Sequence, residues 1–313
     1  MLLHLDTDIG GDIDDLCALA WLLARDDVEL TGVTTVLERD GTRAGYVRHV
    51  LALAGRADVP VAAGADVSSG MFRPGKYEHH PEAPYWGGPI AAAPGAVERA
   101  LDLLADSIER GALILAIGPF TNLALLERRA PGSLRRAEVV LMGGSIATPP
   151  AGFPQWDYTW DFNVQSDAAG AFDVLTALDP DRATIVPLDV TAQTALRAAD
   201  LPALRAAGAV GALVARQASA LASERAASAE RERYPALPED FINCQHDPLA
   251  AAVALGWDGA RAEALPLALS RERGWLRMRL DTAARKLRVV TAVDGAAFSA
   301  HWIDTIVGRG SSA

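Results

Sequence analysis

Met1-Leu-Leu-His-Leu-Asp6-Thr-Asp8-Ile-Gly-Gly-Asp12-Ile-Asp14-Asp15 opens the chain and decides its fold. The run Leu2 to Leu5 is apolar and reads as a buried strand. Leu16-Cys-Ala-Leu19-Ala20-Trp-Leu-Leu23 follows the acids with apolar residues at i, i+3, i+4 and i+7, the spacing of an amphipathic helix. The pattern is strand, acidic turn, helix. Gly10 and Gly11 permit a tight turn. Asp12 or Asp14 can cap the helix, whose positive dipole end favours anions. Capping accounts for one or two acids, not for five. Like charges packed so closely repel and raise one another's pKa. A hard cation that takes several oxygen ligands removes the conflict. The turn follows a buried strand, so it is expected at the carboxyl edge of a sheet, where α/β proteins bind ligands.

Outward from that turn the chain alternates. Strands are expected over Val28–Leu37, Val59–Ala63, Leu113–Ile117, Glu138–Met142 and Thr184–Val190. Helices are expected over Gly41–Leu53, Val97–Arg110, Leu123–Arg129, Ala168–Leu178, Leu201–Glu232 and Leu249–Leu255. Thr121 or Asn122 is a natural N-cap for one of them. Asp247 as N-cap with Pro248 next is a start signal for another. Trp275–Leu280 and Lys286–Val293 alternate as a strand pair, and a short helix closes the chain. Two irregular stretches interrupt the pattern. Ser68–Pro94 is rich in Gly, Pro, His and aromatics, and carries His79 and His80. Ile146–Trp160 holds Phe153, Trp156, Tyr158 and Trp160. Such loops are often functional. With no linker or repeat, residues 1–313 read as a single domain of the α/β class: a Rossmann-like, mixed but mostly parallel sheet flanked by helices.

Bulk numbers narrow the function. The net charge is −11, from 29 basic and 40 acidic residues, which excludes a general nucleic-acid or membrane-surface binder. No apolar stretch reaches membrane-spanning length and no signal peptide is expected at the N-terminus. The two cysteines, Cys17 and Cys244, form no CxxC or paired framework, so a reducing, cytoplasmic setting is the simplest reading.

Three strand-to-helix corners then stand out: Asp6–Asp15, Gly118–Asn122 and His246–Pro248. In a parallel sheet such corners share one edge. That edge would gather carboxylates from Asp8, Asp14, Asp15 and Asp247, oxygens from Thr121, and the imidazole of His246. The donor set suits Ca²⁺ better than Mg²⁺, which prefers fewer protein ligands and more waters. Two histidines without a cysteine cluster argue against Zn²⁺.

These residues resemble a known family. The Asp-Thr-Asp turn with its Asp14-Asp15 end, Gly118-Pro-Phe-Thr-Asn122, Leu141-Met-Gly-Gly144, Asp161-Phe-Asn163, Pro187-Leu-Asp-Val-Thr191 and His246-Asp-Pro-Leu-Ala250 are similar to motifs of the inosine–uridine-preferring nucleoside hydrolases. The matches run in order from residue 2 to about 255. The resemblance implies an α/β fold, a tightly bound Ca²⁺, a homodimer or homotetramer, and hydrolysis of the N-glycosidic bond of a small-molecule ribonucleoside. It implies that Asp8, Asp15, Asp247 and the Thr121 carbonyl bind the metal, and that Asp8 accepts a proton from water. Asp14 and Asn163 would hold ribose hydroxyls, with Asp161 where the family usually has glutamate, and His246 would sit near the leaving base. Three departures are visible. The first turn is two residues longer than the commonest form, which leaves Asp12 as a rival to Asp14. Glu38-Arg39 stands where Gly-Asn is frequent, and Asp161 is one methylene shorter than glutamate.

The chemistry follows from the groups. Breaking a C1′–N bond passes through an oxocarbenium-like state. A cation holding water and the sugar diol fixes the attack geometry, and a carboxylate at that water takes its proton. Trp156, Tyr158 and Trp160 could stack on the nucleobase, and His80 could face the substrate from its loop. Two other readings use the same residues. A haloacid-dehalogenase-like phosphatase also starts with strand-Asp-x-Asp, but it wants a basic residue near phosphate, and Lys76 and Lys286 are poorly placed. A non-catalytic nucleoside or ribose binder would keep the fold and the metal.

Overall fold

A computed structural model describes residues 1–66, 82–227 and 234–310. The strands are β1 (Leu2–Thr7), β2 (Glu29–Thr35), β3 (Val61–Ala63), β4 (Leu113–Ala116), β5 (Glu138–Met142), β6 (Ala183–Val186), β7 (Leu196–Arg197), β8 (Phe241–Asn243), β9 (Ala260–Glu272), β10 (Trp275–Leu280) and β11 (Lys286–Val293). Nine of them form one sheet in the order β10-β9-β11-β6-β5-β4-β1-β2-β3, and β7 pairs with β8 separately. From β11 to β3 every neighbouring pair is parallel; β9 alone runs against its neighbours β10 and β11. The expected mixed, mostly parallel α/β architecture is present.

β1 is central because both of its faces are covered. Leu3 and Leu5 are fully buried, and so are His4 and Asp6 on the alternate positions. Such strands read as continuous apolar runs rather than as alternation. β1 lies between β2 and β4, so the chain order reverses beside it. Ligands of open α/β sheets bind beyond the carboxyl ends of strands at such a switch point. The acidic turn lies there.

The helix Asp14–Leu23 departs from the amphipathic expectation: all ten of its residues are buried. A helix apolar on every side belongs to a core. It packs against the helix His246–Ala254 and against the closing helix Gly295–Gly310, whose Trp302 Nε1 donates to the Cys17 carbonyl at 3.2 Å.

Several expectations are corrected. Trp275–Leu280 and Lys286–Val293 are strands but not partners, because each pairs with β9. β9 escaped notice because Ala260–Glu272 is rich in the helix formers Ala, Leu, Glu and Arg; pairing on both sides overrides that preference. The expected strand Thr184–Val190 ends at Val186, where Pro187 precedes a single helical turn, Leu188–Thr191. The long helix expected from Leu201 divides into Leu201–Ala206 and Gly208–Ala227. Thr121 and Asn122 lie inside their helix, whose N-cap is Phe120, and Asp247 lies inside its helix, whose N-cap is Gln245. The third corner does not come from the main sheet. β8 belongs to the small ribbon with β7, so packing of His246–Ala254 on Asp14–Leu23 brings that corner into place, not a shared sheet edge.

Candidate active site

The three corners converge nonetheless. One cavity of about 310 Å³ is lined by Asp8, Asp12, Asp14, Asp15, Asp161, Asn163, His246 and Asp247, with Trp156 and Trp160 among its other walls. Its volume suits one small organic ligand. Asp14, Asp15 and Asp247 present carboxylate oxygens that all lie within 4.8 Å of one another, and all three residues are buried. Asp8 lines the same cavity but stands outside that tight trio.

Local structure explains how carboxylates reach this point. Gly10, at φ 101°, turns the chain after β1 in a conformation that suits glycine. Asp14 and Asp15 are the first two residues of their helix, and Asp247 is the second residue of its own. None of the three caps its helix, so each side chain remains available, and the positive ends of two helix dipoles meet at the acids. Thr7 Oγ1 donates to Asp15 Oδ1, and the main-chain N–H of Asp247 donates to Asp14. Gly118 makes the second corner possible. A Cβ there would lie 2.8 Å from Asp8 Oδ1 and 2.9 Å from Asp8 N, so only glycine lets the β4 corner close over Asp8. Thr121 donates its hydroxyl to Asp167 Oδ2 at 2.9 Å and is not among the residues that line the cavity.

The electrostatics are strained. Burial, then Asp12 and Asp8, push the Asp14 carboxyl well above its ordinary range. Burial, then Asp8 and Asp14, do the same to Asp15. Burial, then Asp14, Asp15, Asp8 and Asp12, raise Asp247. Asp8 rises to about 6, mainly through burial and against the opposing pull of Arg43. Arg43 donates to main-chain carbonyls rather than to these carboxylates. An oxygen-only set of buried, mutually repelling carboxylates fits a hard divalent cation such as Ca²⁺.

Around the acids are groups suited to an organic ligand. Asn163 donates its amide hydrogens to the carbonyls of Ile117 at 2.7 Å and Met142 at 3.1 Å, so its own carbonyl oxygen is what it offers the cavity. Asp161 accepts from the N–H of Gly144 at 2.6 Å and of Val164 at 3.2 Å, and burial lifts its carboxyl to about 7. His246 Nδ1 lies 2.7 Å from Thr191 Oγ1. Burial lowers the ring to about 4, so it is neutral at pH 7. Trp156 stacks with Trp160 at 6.2 Å and lies 5.9 Å from the His246 ring.

Not every expected residue arrives. Tyr158 turns away, edge-on to Trp275 and under the Arg277 guanidinium at 4.3 Å. His79 and His80 fall outside the described residues. Arg39 is exposed and does not line the cavity. Glu38 is buried and turned to the main chain of its own corner. Sequence reading passed over Arg43, Asn243 and Arg225. Asn243 donates to Asp12 Oδ1 at 2.7 Å, and Arg225 donates to Asn243 Oδ1 at 2.8 Å. Asn243 could have been suspected from its place three residues before His246. Arg225 and Arg43 sit in ordinary helical stretches that carry no signal.

With this geometry in hand, the chain's kinship is plain. Residues 3–300 match the inosine-uridine preferring nucleoside hydrolase family, and the chain belongs to it. It is 33% identical over 215 residues to the pyrimidine-specific ribonucleoside hydrolase RihA of Enterobacter sp., covering 65% of each chain. It is also 33% identical over 208 residues to the uncharacterized protein C1683.06c of Schizosaccharomyces pombe, covering 62% of this chain and 63% of that one. The matched region thus spans just under two thirds of these relatives' length. The fold is shared over 99% of this chain and 100% of the other with a purine-preferring ribonucleoside hydrolase from Gardnerella vaginalis, at a TM-score of 0.76 and 23% identity. An inosine-uridine preferring nucleoside hydrolase from Bacillus anthracis gives a TM-score of 0.72 at 19% identity, over 98% of this chain and 99% of that one. Among the described residues no helix is long and apolar enough to cross a membrane.

Proposed function

We propose that the protein hydrolyses the N-glycosidic bond of ribonucleosides, releasing ribose and the free base. The observation that carries this reading is the convergence of Asp14, Asp15 and Asp247 with Asp8 and Asn163 in a cavity walled by Trp156 and Trp160. Asp8, Asp15, Asp247 and the Thr121 carbonyl would hold Ca²⁺. When bound, the ion supplies Lewis-acid polarisation of water and a fixed seat for the sugar diol.

The chain's own groups do the rest. Asp14, and Asn163 through its carbonyl oxygen, accept hydrogen bonds from ribose hydroxyls. They hold C1′ within reach of the attacking water. Asp8 accepts the water proton as the oxygen approaches C1′. The C1′–N bond breaks with its electron pair passing to the base, through an oxocarbenium-like state. Thr191 Oγ1 donates to the Leu188 carbonyl at 3.3 Å, so it accepts from His246 Nδ1–H at 2.7 Å, and the neutral ring orients the departing base through Nε2 as an acceptor. Trp156 and Trp160 stack on that base. Asp161 sits where the resemblance places a sugar contact, but its oxygens already bind two main-chain N–H groups. Its part is to shape the Gly144 corner around the ribose. The buried, unbridged Cys17 and Cys244 suit a cytoplasmic setting, and a homodimer or homotetramer belongs to the same reading.

The test is ribose release from a panel of purine and pyrimidine nucleosides, with and without chelator. Ribose that appears only with Ca²⁺ and vanishes in Asp8→Asn supports the proposal. Phosphate release from a phosphomonoester, or nucleoside binding without turnover, would replace it with one of the two rival readings.

A further inference from the structure

The corner between β2 and the helix Thr42–Leu53 is built at visible cost. Leu37 and Asp40 adopt φ of 51° and 50°, a left-handed region uncommon for such residues. Strain of this kind persists only where surroundings enforce it. Two buried side chains do the enforcing. Glu38 Oε1 accepts from Thr35 Oγ1 at 2.5 Å and from the N–H of Ala44 at 2.7 Å. Its Oε2 accepts from the N–H of Arg39 at 3.0 Å and of Arg43 at 3.4 Å. Glu38 therefore takes over the free N–H groups of a helix whose N-cap, Gly41, has no side chain. That fixes the start of the helix and with it the base of Arg43.

The Arg43 guanidinium then spans two turns. Nε donates to the Leu37 carbonyl at 2.8 Å. The Nη1 group donates to the Ile9 carbonyl at 2.8 Å and to the Asp8 carbonyl. These last two acceptors start the acidic turn, just ahead of Gly10 and Gly11, two residues that resist conformational change poorly. At the far side of the glycines, Asn243 holds Asp12 at 2.7 Å. The side chain thus anchors the main chain that carries Asp8, without touching any carboxylate in the cavity.

We propose that Arg43, set in place by Glu38, is a positioning residue for the Ca²⁺ site, holding the Asp8–Gly11 main chain in its metal-binding conformation before any ion arrives. This rests on the reading of the acidic turn as a Ca²⁺ site. The idea has an unusual sign. Simple Coulomb attraction says that deleting a buried positive charge beside four carboxylates tightens cation binding. A positioning role says that binding weakens.

The experiment is calorimetric Ca²⁺ titration of chelator-stripped protein: wild type, Arg43→Met, Arg43→Lys and Glu38→Gln, each checked for native circular dichroism. Both Arg43 variants should lose about 10–100-fold in Ca²⁺ affinity, the usual effect of removing a partner that orients metal ligands. The lysine variant fails as well, because one ammonium cannot span three carbonyls across two turns. Glu38→Gln should show a smaller loss of the same sign. In the stripped protein, amides 9–13 should exchange hydrogen faster in Arg43→Lys than in wild type. Equal or tighter Ca²⁺ binding by folded Arg43 variants, with unchanged exchange, overturns the proposal and leaves the metal site intact. Absence of Ca²⁺ binding in the wild type itself overturns both. Should Arg43→Met not fold, Arg43→Lys decides alone.

Discussion

Two sets of buried polar groups lie one above the other along β1, and they are satisfied in opposite ways. In the lower set, the protein supplies the partners. His4 lies 2.8 Å from Ser107 Oγ through Nδ1 and 3.0 Å from Thr34 Oγ1 through Nε2. Thr34 donates to Asp6 Oδ1 at 2.5 Å, and Asn122 donates to the same oxygen at 2.7 Å. Since Thr34 gives its proton to Asp6, it must accept from His4, which fixes the neutral ring with its proton on Nε2. In the upper set, a few residues further along, Asp8, Asp14, Asp15 and Asp247 face mainly one another. Burying a polar group is tolerable when it is hydrogen-bonded, and burying charge is costly when it is not paired. The lower set is internally complete apart from Asp6 Oδ2. The upper set is hydrogen-bonded in part, by Thr7 and the Asp247 N–H, but its carboxylates repel one another, and under the proposed function a divalent cation supplies the balancing charge.

The contrast can be broken most decisively at Asp8. Replacement by Asn, nearly isosteric but unable to take a proton, should lower kcat by about 10²–10⁴-fold while the melting temperature stays close to wild type. Loss of fold with loss of activity would make Asp8 structural and erase the distinction. Asn122→Ala attacks the lower set. It removes donors to Asp6 and to the Thr35 carbonyl, and the acceptor of the Ala65 N–H at 2.9 Å. A loss of about 1–3 kcal/mol in urea unfolding is expected, whether or not Ca²⁺ is present.

Asp247→Asn sharpens the comparison by its sign. In chelator, removing one of four repelling charges should stabilise the protein by about 1 kcal/mol, as deletions at strained functional sites do. With excess Ca²⁺ the order should reverse, because only the wild type gains the full binding free energy. Denaturant midpoints in the two buffers decide it; a variant destabilised in both would mean that the acids are already satisfied within the protein.

Acid titration probes the lower set again. Burial depresses His4 from 6.5 to about 3. The unfolded chain therefore takes up the proton first. The stability held in the neutral ring is complete above about 6.5 and is lost as pH falls toward about 3, at no more than about 1.4 kcal/mol per pH unit. The pH slope of stability in wild type minus that in His4→Asn should show this window; parallel slopes would mean that His4 does not titrate on unfolding. The smallest effect is expected in the aromatic wall. Trp160 is 45% exposed, so Trp160→Ala should cost about 1 kcal/mol of substrate affinity, read as a rise in KM of several-fold. Tyr158→Ala, whose ring packs on Trp275 and Arg277, should leave KM unchanged.

Much of this molecule was legible in the order of its residues. The apolar run before Asp6, the glycines after Asp8 and the apolar helix beyond them determined a strand, a turn and a helix, because those preferences are local. The excess of carboxylates in one turn marked it as a site, since like charges do not crowd together without a counter-ion. Tertiary structure decided the rest. β9 became a strand because two neighbours paired with it, against its composition. Asp247 reached Asp14 and Asp15 by helix packing from a separate ribbon, over a separation of more than two hundred residues that no local pattern encodes. Tyr158 was drawn away from the cavity, and Glu38 and Arg43 were given work inside the protein, by contacts between segments that meet only in the folded chain. A residue type tells what chemistry a side chain can perform; its role follows from which partners the packing brings within about 3 Å of it.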